Sequence, residues 1–429
     1  MNRLLLCAAA LAAAAPLAQA QESQPPQSLP EMREELKILQ QRVDELQRQV
    51  QSASARPQAA NALNPGVSAI LNGVYANLSR DPAAYRIGGF VPTMGEVAPP
   101  TRGFSLGESE LGFAANIDPL FRGTLVAAIS PDEDTIGVEE GYLQTIGLSY
   151  GFTIKAGRFF SAVGYQNQIH AHAWDFTDAP LVMAAFLGGQ LAEDGVQLRW
   201  VAPTELYWDM GTELGRGRAF PASLSASGKN GAGSVNLFTH VGGDLGQSLA
   251  WQAGLSHLRT DPRDRTFEDS GFLNSFTGAS RLWVLSGILK WAPRGNATYN
   301  NFKLQGEYFH RKEEGTLVFD SPGAALASDY GARQSGGYAQ AVYQFLPQWR
   351  AGYRYDRLDS GDAAVDTSRF PVLAPYQPKK HSVMVDWSPS EFSRVRLQLA
   401  RDYSRMNEPD NQVFLQYIVS LGAHGAHTF

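Results

Sequence analysis

The chain has 429 residues, is 44% hydrophobic, and carries 42 acidic against 36 basic side chains, for a formal net charge of −6. No basic block stands out, which excludes nucleic-acid partners held by phosphate neutralisation. The one cysteine, Cys7, leaves no disulfide, thiolate zinc site or cysteine nucleophile in the chain after it.

Met1–Ala20 reads as a secretory signal. Arg3 gives the positive start, Leu4–Leu17 the apolar core, and Ala18-Gln19-Ala20 the small-x-small cleavage site. Cys7 follows Leu6 rather than a small residue, which disfavours a lipoprotein site. No later apolar run has the length of a membrane helix. A β-barrel span stays open, because its signal is alternation. After a tail over residues 21–27, Ser28–Gln51 places Leu29, Met32, Leu36, Leu39, Val43, Leu46 and Val50 at alternating spacings of three and four. That is the seam of a coiled coil. A lone helix of this length is marginal in water, so self-association is expected. Residues 52–65 form a small-residue linker, and residues 66–429 are the barrel candidate.

Sixteen strand-like runs can be placed between Val67 and Leu421. In Ser393–Leu399, Val395, Leu397 and Leu399 oppose Arg394, Arg396 and Gln398. In Leu249–His257, Leu249, Trp251, Ala253 and Leu255 oppose Gln252, Gly254 and Ser256. Connections alternate short (Asp118–Leu120, Leu346–Gln348) and long (Phe160–Asp194, Thr260–Ser280, Lys312–Gly336), as in outer-membrane barrels. Aromatics such as Trp208, Trp291, Trp349 and Trp387 sit near strand ends, as in interfacial girdles. The run before Phe429 resembles a barrel's terminal strand. The predicted class is all-β: a transmembrane antiparallel β-barrel of about sixteen strands behind an α-helical coiled coil. A soluble sandwich gives no reason for alternating loop lengths, and no repeat of propeller length is visible.

The segment Phe159–Asp194 breaks the alternation and carries Asp175, Asp178, Glu193, Asp194, His170 and His172. It is predicted to be the constriction loop of a pore. Strand parity turns Trp349, Tyr353, Val383, Val385 and Trp387 outward. Arg350, Arg354, Asp386, Arg394 and Arg396 then line the interior, joined by Lys303 and Glu307. An arginine wall facing an acidic loop sets a transverse field; a charge network that fixes the loop is the alternative. His170-x-His172 puts two imidazoles on one face of an extended segment. With Asp175 or Asp178 they make a candidate site for Zn²⁺, against hydrogen bonding that holds the loop to the wall. His424 and His427 fall at the other barrel end. His170, His172 and Asp175 come with no G-x-S-x-G nucleophile motif, and no enzymatic activity is expected.

The phrases Gly107–Gly123 (GESELGFAANIDPLFRG), Lys155–Gly164 (KAGRFFSAVG) and Asn167–Leu181 (NQIHAHAWDFTDAPL) resemble porins of the phosphate-selective porin O/P type. The likeness is closer to a branch of uncharacterised outer-membrane proteins sometimes labelled metal-regulated or TonB-dependent receptors. The resemblance implies a trimeric channel in the outer membrane of a Gram-negative cell, with anions held by constriction arginines and lysines. This chain departs in its acidic, histidine-bearing loop. A TonB-dependent receptor needs a folded plug in a barrel of about 22 strands, whereas the segment before Val67 reads as coiled coil and linker. The expected function is therefore diffusion of small hydrophilic solutes or ions, with the coil in the periplasm. Uptake of a metal ion or metal complex is one alternative, and a structural barrel with a periplasmic tether is another.

Overall fold

The computed structural model describes residues 65–92, 97–130, 135–217 and 231–422. The signal, tail, coiled coil and linker predictions lie outside the described residues, as do His424, His427 and Phe429.

Eighteen antiparallel segments form one sheet, in which two strands are each interrupted once, giving sixteen. They are β1 (Gly66–Leu78), β2 (Gly103–Leu106 with Ser109–Asn116), β3 (Phe121–Ser130), β4 (Thr135–Thr145), β5 (Phe152–Phe160), β6 (Ala192–Val201), β7 (Tyr207–Gly215), β8 (Ser234–Leu245), β9 (Leu249–Thr260 with Arg265–Asp269), β10 (Phe272–Trp291), β11 (Asn301–Phe319), β12 (Leu326–Leu346), β13 (Trp349–Asp359), β14 (Lys379–Ser390), β15 (Ser393–Asp402) and β16 (Asp410–Gly422). Each pairs with the next. β16 closes on β1, from Ser68 opposite Gly422 to Leu78 opposite Gln412. Closure removes the unpaired edges that an open sheet would expose. No described helix is long and apolar enough to cross a membrane.

The alternation sorts the side chains. Trp283, Leu285, Tyr308, Tyr353, Val383, Val385 and Trp387 are exposed on the outer face, while Val284, Glu307, Arg354 and Asp386 are buried inside. The intervals Thr260–Ser280 and Lys312–Gly336, expected to be long loops, are largely strand instead. β10, β11 and β12 run for 20, 19 and 21 residues and stay paired throughout. Their inward positions in that upper stretch, Phe276, Leu317 and Tyr330, bury against Val91, Phe267, Phe370 and Leu373. The alternating period continues because these tall hairpins have a core of their own to cover.

A second apolar cluster sits inside the barrel around a short helix, α1 (Leu181–Leu187), all of whose residues are buried. A helix this short is unstable alone. Burial of Leu181, Val182, Met183, Phe186 and Leu187 at about 1.5–3 kcal/mol each outweighs that cost. Gly188 ends it in the left-handed region at φ 72°, which a glycine adopts without strain.

Candidate functional site

The connection from β5 to β6 folds into the barrel and crosses it. Its neck is closed by Ser161 N donating to Leu191 O at 2.9 Å. Asn167 Nδ2 donates to the carbonyls of Ser161 (2.8 Å) and Leu191 (3.0 Å), and its Oδ1 accepts from Leu191 N at 2.7 Å. Glu213 on β7 fixes the outgoing strand end, accepting from Ser161 Oγ at 2.5 Å and Ala162 N at 2.8 Å. Gly164 then turns the chain at φ 75°, where a Cβ would collide with Glu307 Oε1. That close approach lets Glu307 accept from Tyr165 N (2.6 Å), Gln166 N (3.3 Å) and Tyr338 Oη (2.9 Å).

The middle of the loop, His170 to Asp178, meets two walls of opposite charge. On one wall, His172 Nδ1 lies 2.6 Å from Glu110 Oε1 on β2, and His170 Nε2 lies 3.1 Å from Glu140 Oε2 on β4. His170 Nδ1 is 3.2 Å from Glu110 Oε2 and 3.4 Å from Glu139 Oε2. Burial opposes charge on His170, but these carboxylates outweigh it and hold the imidazole far above its usual range. On the other wall, Asp175 pairs with Lys303 on β11 and with Arg350 Nη1 on β13 at 3.2 Å. Asp178 pairs with Arg354 Nη2 (3.1 Å) and Lys380 Nζ (2.7 Å). Burial raises both carboxyl pKa values, yet the neighbouring cations prevail and hold each well below the usual carboxylate range. The carbonyl of Trp174, just before Asp175, accepts from Arg396 Nη2 at 2.7 Å and Arg394 Nη1 at 3.4 Å.

Several expectations are corrected by this geometry. Glu193 and Asp194 are not on the constriction loop; they are residues of β6, because the strand pairing resumes at Ala192 opposite Phe160. Glu193 faces inward and accepts from Gly217 N at 3.1 Å, and Asp194 pairs with Arg158 Nε at 2.6 Å. Asp175 and Asp178 do not complete a metal set with His170 and His172, since both are taken up by the basic wall. The loop carboxylates also do not face the arginines across an open gap. They touch them directly, so the loop neutralises much of that wall. Arg354, Arg396, Asp386 and Glu307 face the interior but are buried beneath the loop, with Arg354 and Arg396 each 1% exposed. Arg350, Arg394 and Lys303 keep partial exposure.

Toward the end with short turns the interior opens. Arg122, Lys155, Arg199, Lys290, Lys303, Arg350 and Arg394 are exposed or half-buried there, with Asp244 as an acidic counterpart. Arg199 pairs with the buried Asp209, which also accepts from His240 Nδ1 at 2.8 Å.

Sequence reasoning missed the acidic wall. Glu108 falls in the break between the two segments of β2, and Ser109 and Glu110 are buried in succession beyond it, so parity does not predict that Glu110 faces inward. The doublet Glu139-Glu140 breaks alternation, and in an otherwise regular strand that is the signature of a bulge.

No family model matches the chain. An uncharacterized protein of Aquifex aeolicus (strain VF5) is 32% identical over 343 residues, covering 76% of this chain and 70% of that protein. The chain belongs to that protein's family. Among solved structures, OmpT of Vibrio cholerae, an outer membrane protein, superposes in its trimer form with a TM-score of 0.52 at 10% identity, over 83% of this chain and 98% of that one. A loop L8 deletion mutant of the same protein gives 0.51 at 11% identity, with the same coverage. At this identity the likeness is one of fold: a closed antiparallel barrel.

Proposed function

We propose that this protein is an outer-membrane channel for small hydrophilic solutes, constricted by the loop Ser161–Leu191, with anions favoured at its short-turn mouth. The observation that carries the reading is the crossing of the barrel interior by a loop held to both walls. Such a loop leaves the passage to be set by the exposed polar residues beside it. The ring of Arg122, Lys155, Arg199, Lys290, Lys303, Arg350 and Arg394 supports the anion preference. Short turns belong to the periplasmic side and tall hairpins to the outer side in barrels of this kind. The chain is proposed to assemble as a homo-oligomer, a trimer, with the Ser28–Gln51 coil in the periplasm.

Planar-bilayer recording tests the channel. Purified protein is expected to give discrete conductance steps with a reversal potential favouring anions. Replacing Arg122, Lys290 and Arg394 by Gln shifts that potential toward cations. A protein that never conducts would return the reading to a structural barrel, and an unchanged potential in the triple variant would end the anion preference. Removing Ser28–Gln51 is expected to weaken the oligomer in analytical ultracentrifugation.

A further inference from the structure

The outer face of the barrel carries a charge pattern that conduction does not use. On β9 to β12, Arg259 is opposite Arg281, Arg281 opposite Lys312, and Lys312 opposite Arg333, so four cations stand in one register row across four adjacent strands. On β13 and β14, Arg357 is opposite Lys379, and Arg401 follows on β15. Parity puts these seven side chains on the outer face, with Leu255, Trp283, Tyr308, Tyr353, Val383 and Leu399. All are exposed except Lys312, which is half-buried. With neighbouring strands about 4.8 Å apart, the run follows about 29 Å of wall.

The seven stand close to one height. Leu249, Trp291, Phe302 and Tyr343 pair in a row near the short turns, and on these four strands each cation is ten residues from that row. Arg357 and Lys379 are eight residues from the paired Trp349 and Trp387, and Arg401 is eight from Ser393. At about 3.4 Å per residue and a tilt of about 40°, the climb is roughly 21–26 Å. The apolar band of an outer-membrane barrel is about 25 Å tall. The belt therefore lies where the band ends on the tall-hairpin side and lipid headgroups begin. Acids come only beyond it: Asp261, Glu314 and Asp359 each follow a belt cation by two residues, away from the band. Arg259 pairs with Asp261 at 3.7 Å and Lys312 with Glu314 at 2.6 Å. The other five make no ion pair with a described carboxylate. Arg357 Nη2 donates to Gln377 Oε1 at 2.9 Å, while Lys379 and Arg401 lie 5.1 and 5.5 Å from the centre of the Tyr403 ring.

We propose that this belt binds the phosphate groups of anionic lipids in the leaflet at the tall-hairpin side, holding lipid against β9 to β15. Five of the seven cations are arginines, whose planar fork meets phosphate oxygens two at a time. Tyr403, under Lys379 and Arg401, and the ring pair of Tyr355 and His381 at 4.8 Å put amphipathic rings at the same level, where headgroup meets chain. The belt keeps to one height over seven consecutive strands, which is the path of a bilayer surface. A protein partner gives no reason for it to do so. Lipid binding presupposes the outer-membrane reading but not conduction, so either can fail without the other.

The test is native mass spectrometry of the full chain in an uncharged detergent, titrated with bisphosphorylated lipid A. Wild type is expected to hold this lipid at least roughly tenfold more tightly than phosphatidylcholine. At about fivefold per charge removed, Arg357→Gln/Lys379→Gln/Arg401→Gln is expected to lose roughly a hundredfold, and Arg281→Gln/Arg333→Gln roughly twenty-fivefold. Arg357→Lys/Arg401→Lys, which keeps the charge, retains most of the binding. Arg294→Gln, in the short turn after β10, binds as wild type does. Millimolar inorganic phosphate leaves the lipid in place, which separates a lipid site from a free-phosphate site. Heat-modifiable migration in gels confirms that each variant is folded. Equal lipid A binding by wild type and both Gln variants overturns the proposal, as does a wild type that prefers lipid A no more than phosphatidylcholine. Displacement by inorganic phosphate, or a triple variant altered only in its oligomeric state, overturns it as well.

Discussion

Replacing Asp175 by Asn tests whether ion pairing holds the loop to the basic wall. Asp175 is 4% exposed. It pairs with Lys303, accepts from Arg350 Nη1 at 3.2 Å, and accepts from Gln340 Nε2 at 3.0 Å. The amide keeps the shape and an acceptor for Gln340 but removes the charge. Arg350 retains Asp386 at 2.5 Å, so the loss falls mainly on Lys303. Breaking a buried pair costs about 3–5 kcal/mol. Lys303 is 24% exposed, which lowers the expected cost to about 2–3 kcal/mol through partial rehydration. At about 1.4 kcal/mol per decade, the population of the detached loop rises roughly thirtyfold to 140-fold. Limited proteolysis of the loop reads this directly, and single-channel noise reads it in a bilayer. The double variant Asp175→Asn/Lys303→Gln should recover more than about 1 kcal/mol of the loss as coupling energy. Equal protease resistance in wild type and Asp175→Asn, or zero coupling in the cycle, refutes the reasoning.

Gly164→Ala is expected to destabilise the barrel by about 1–3 kcal/mol, because the position needs a positive φ and the Cβ meets Glu307; thermal unfolding followed by heat-modifiable migration measures it. Glu307→Ala should cost more than Glu307→Gln, since the amide keeps an acceptor for Tyr165 N while alanine leaves two loop N–H groups unmet at about 1–3 kcal/mol each. The acids Asp175 and Asp178 have folded pKa values below the unfolded carboxylate value of about 3.9. Their stabilisation is therefore fully present above that value and is lost only as pH falls through the depressed folded values. Loop protection against an acid-active protease is thus expected to be flat from neutrality to about pH 4 and to decline only in stronger acid; a decline centred near pH 6 would contradict it.

The sixteen strands were legible because a barrel wall separates two solvents and stamps a period of two on every strand. Trp349 and Tyr353 against Arg350 and Arg354 needed nothing beyond parity. The boundaries of β10, β11 and β12 were not legible, because Thr260–Ser280 and Lys312–Gly336 look polar and glycine-rich until their inward Phe276, Leu317 and Tyr330 are seen to share a core with residues near 91 and 370. That core is assembled from distant loops, which no local window contains. The loop was legible as an interruption, but its two ends were not. Glu193 and Asp194 match the loop in composition and belong to β6 by pairing alone. Partner choice was also hidden. His170 and His172 find glutamates on β2 and β4, some thirty to sixty residues upstream, and a bulge decides that Glu139 and Glu140 share a face.

The order of charges along the loop explains why it settles in one place. Two histidines, then Trp174, then two aspartates pass from the acidic wall to the basic wall in the space of nine residues, His170 to Asp178. The stretch is not fully extended, since Ala171–Ala173 forms a 3₁₀ turn within it, and the charges that anchor it sit toward its two ends. If the segment slipped toward either wall, it would carry imidazoles toward Arg350 and Arg396 or carboxylates toward Glu110 and Glu140, replacing attraction by like-charge contact at both ends together. The arginine pair on the Trp174 carbonyl fixes the midpoint. The buried α1 then anchors the returning limb on β11, β12 and β13. Opposite charge at the two ends therefore selects both the direction in which the loop crosses and its register. Neither a loop of uniform charge nor an apolar one would discriminate between those placements.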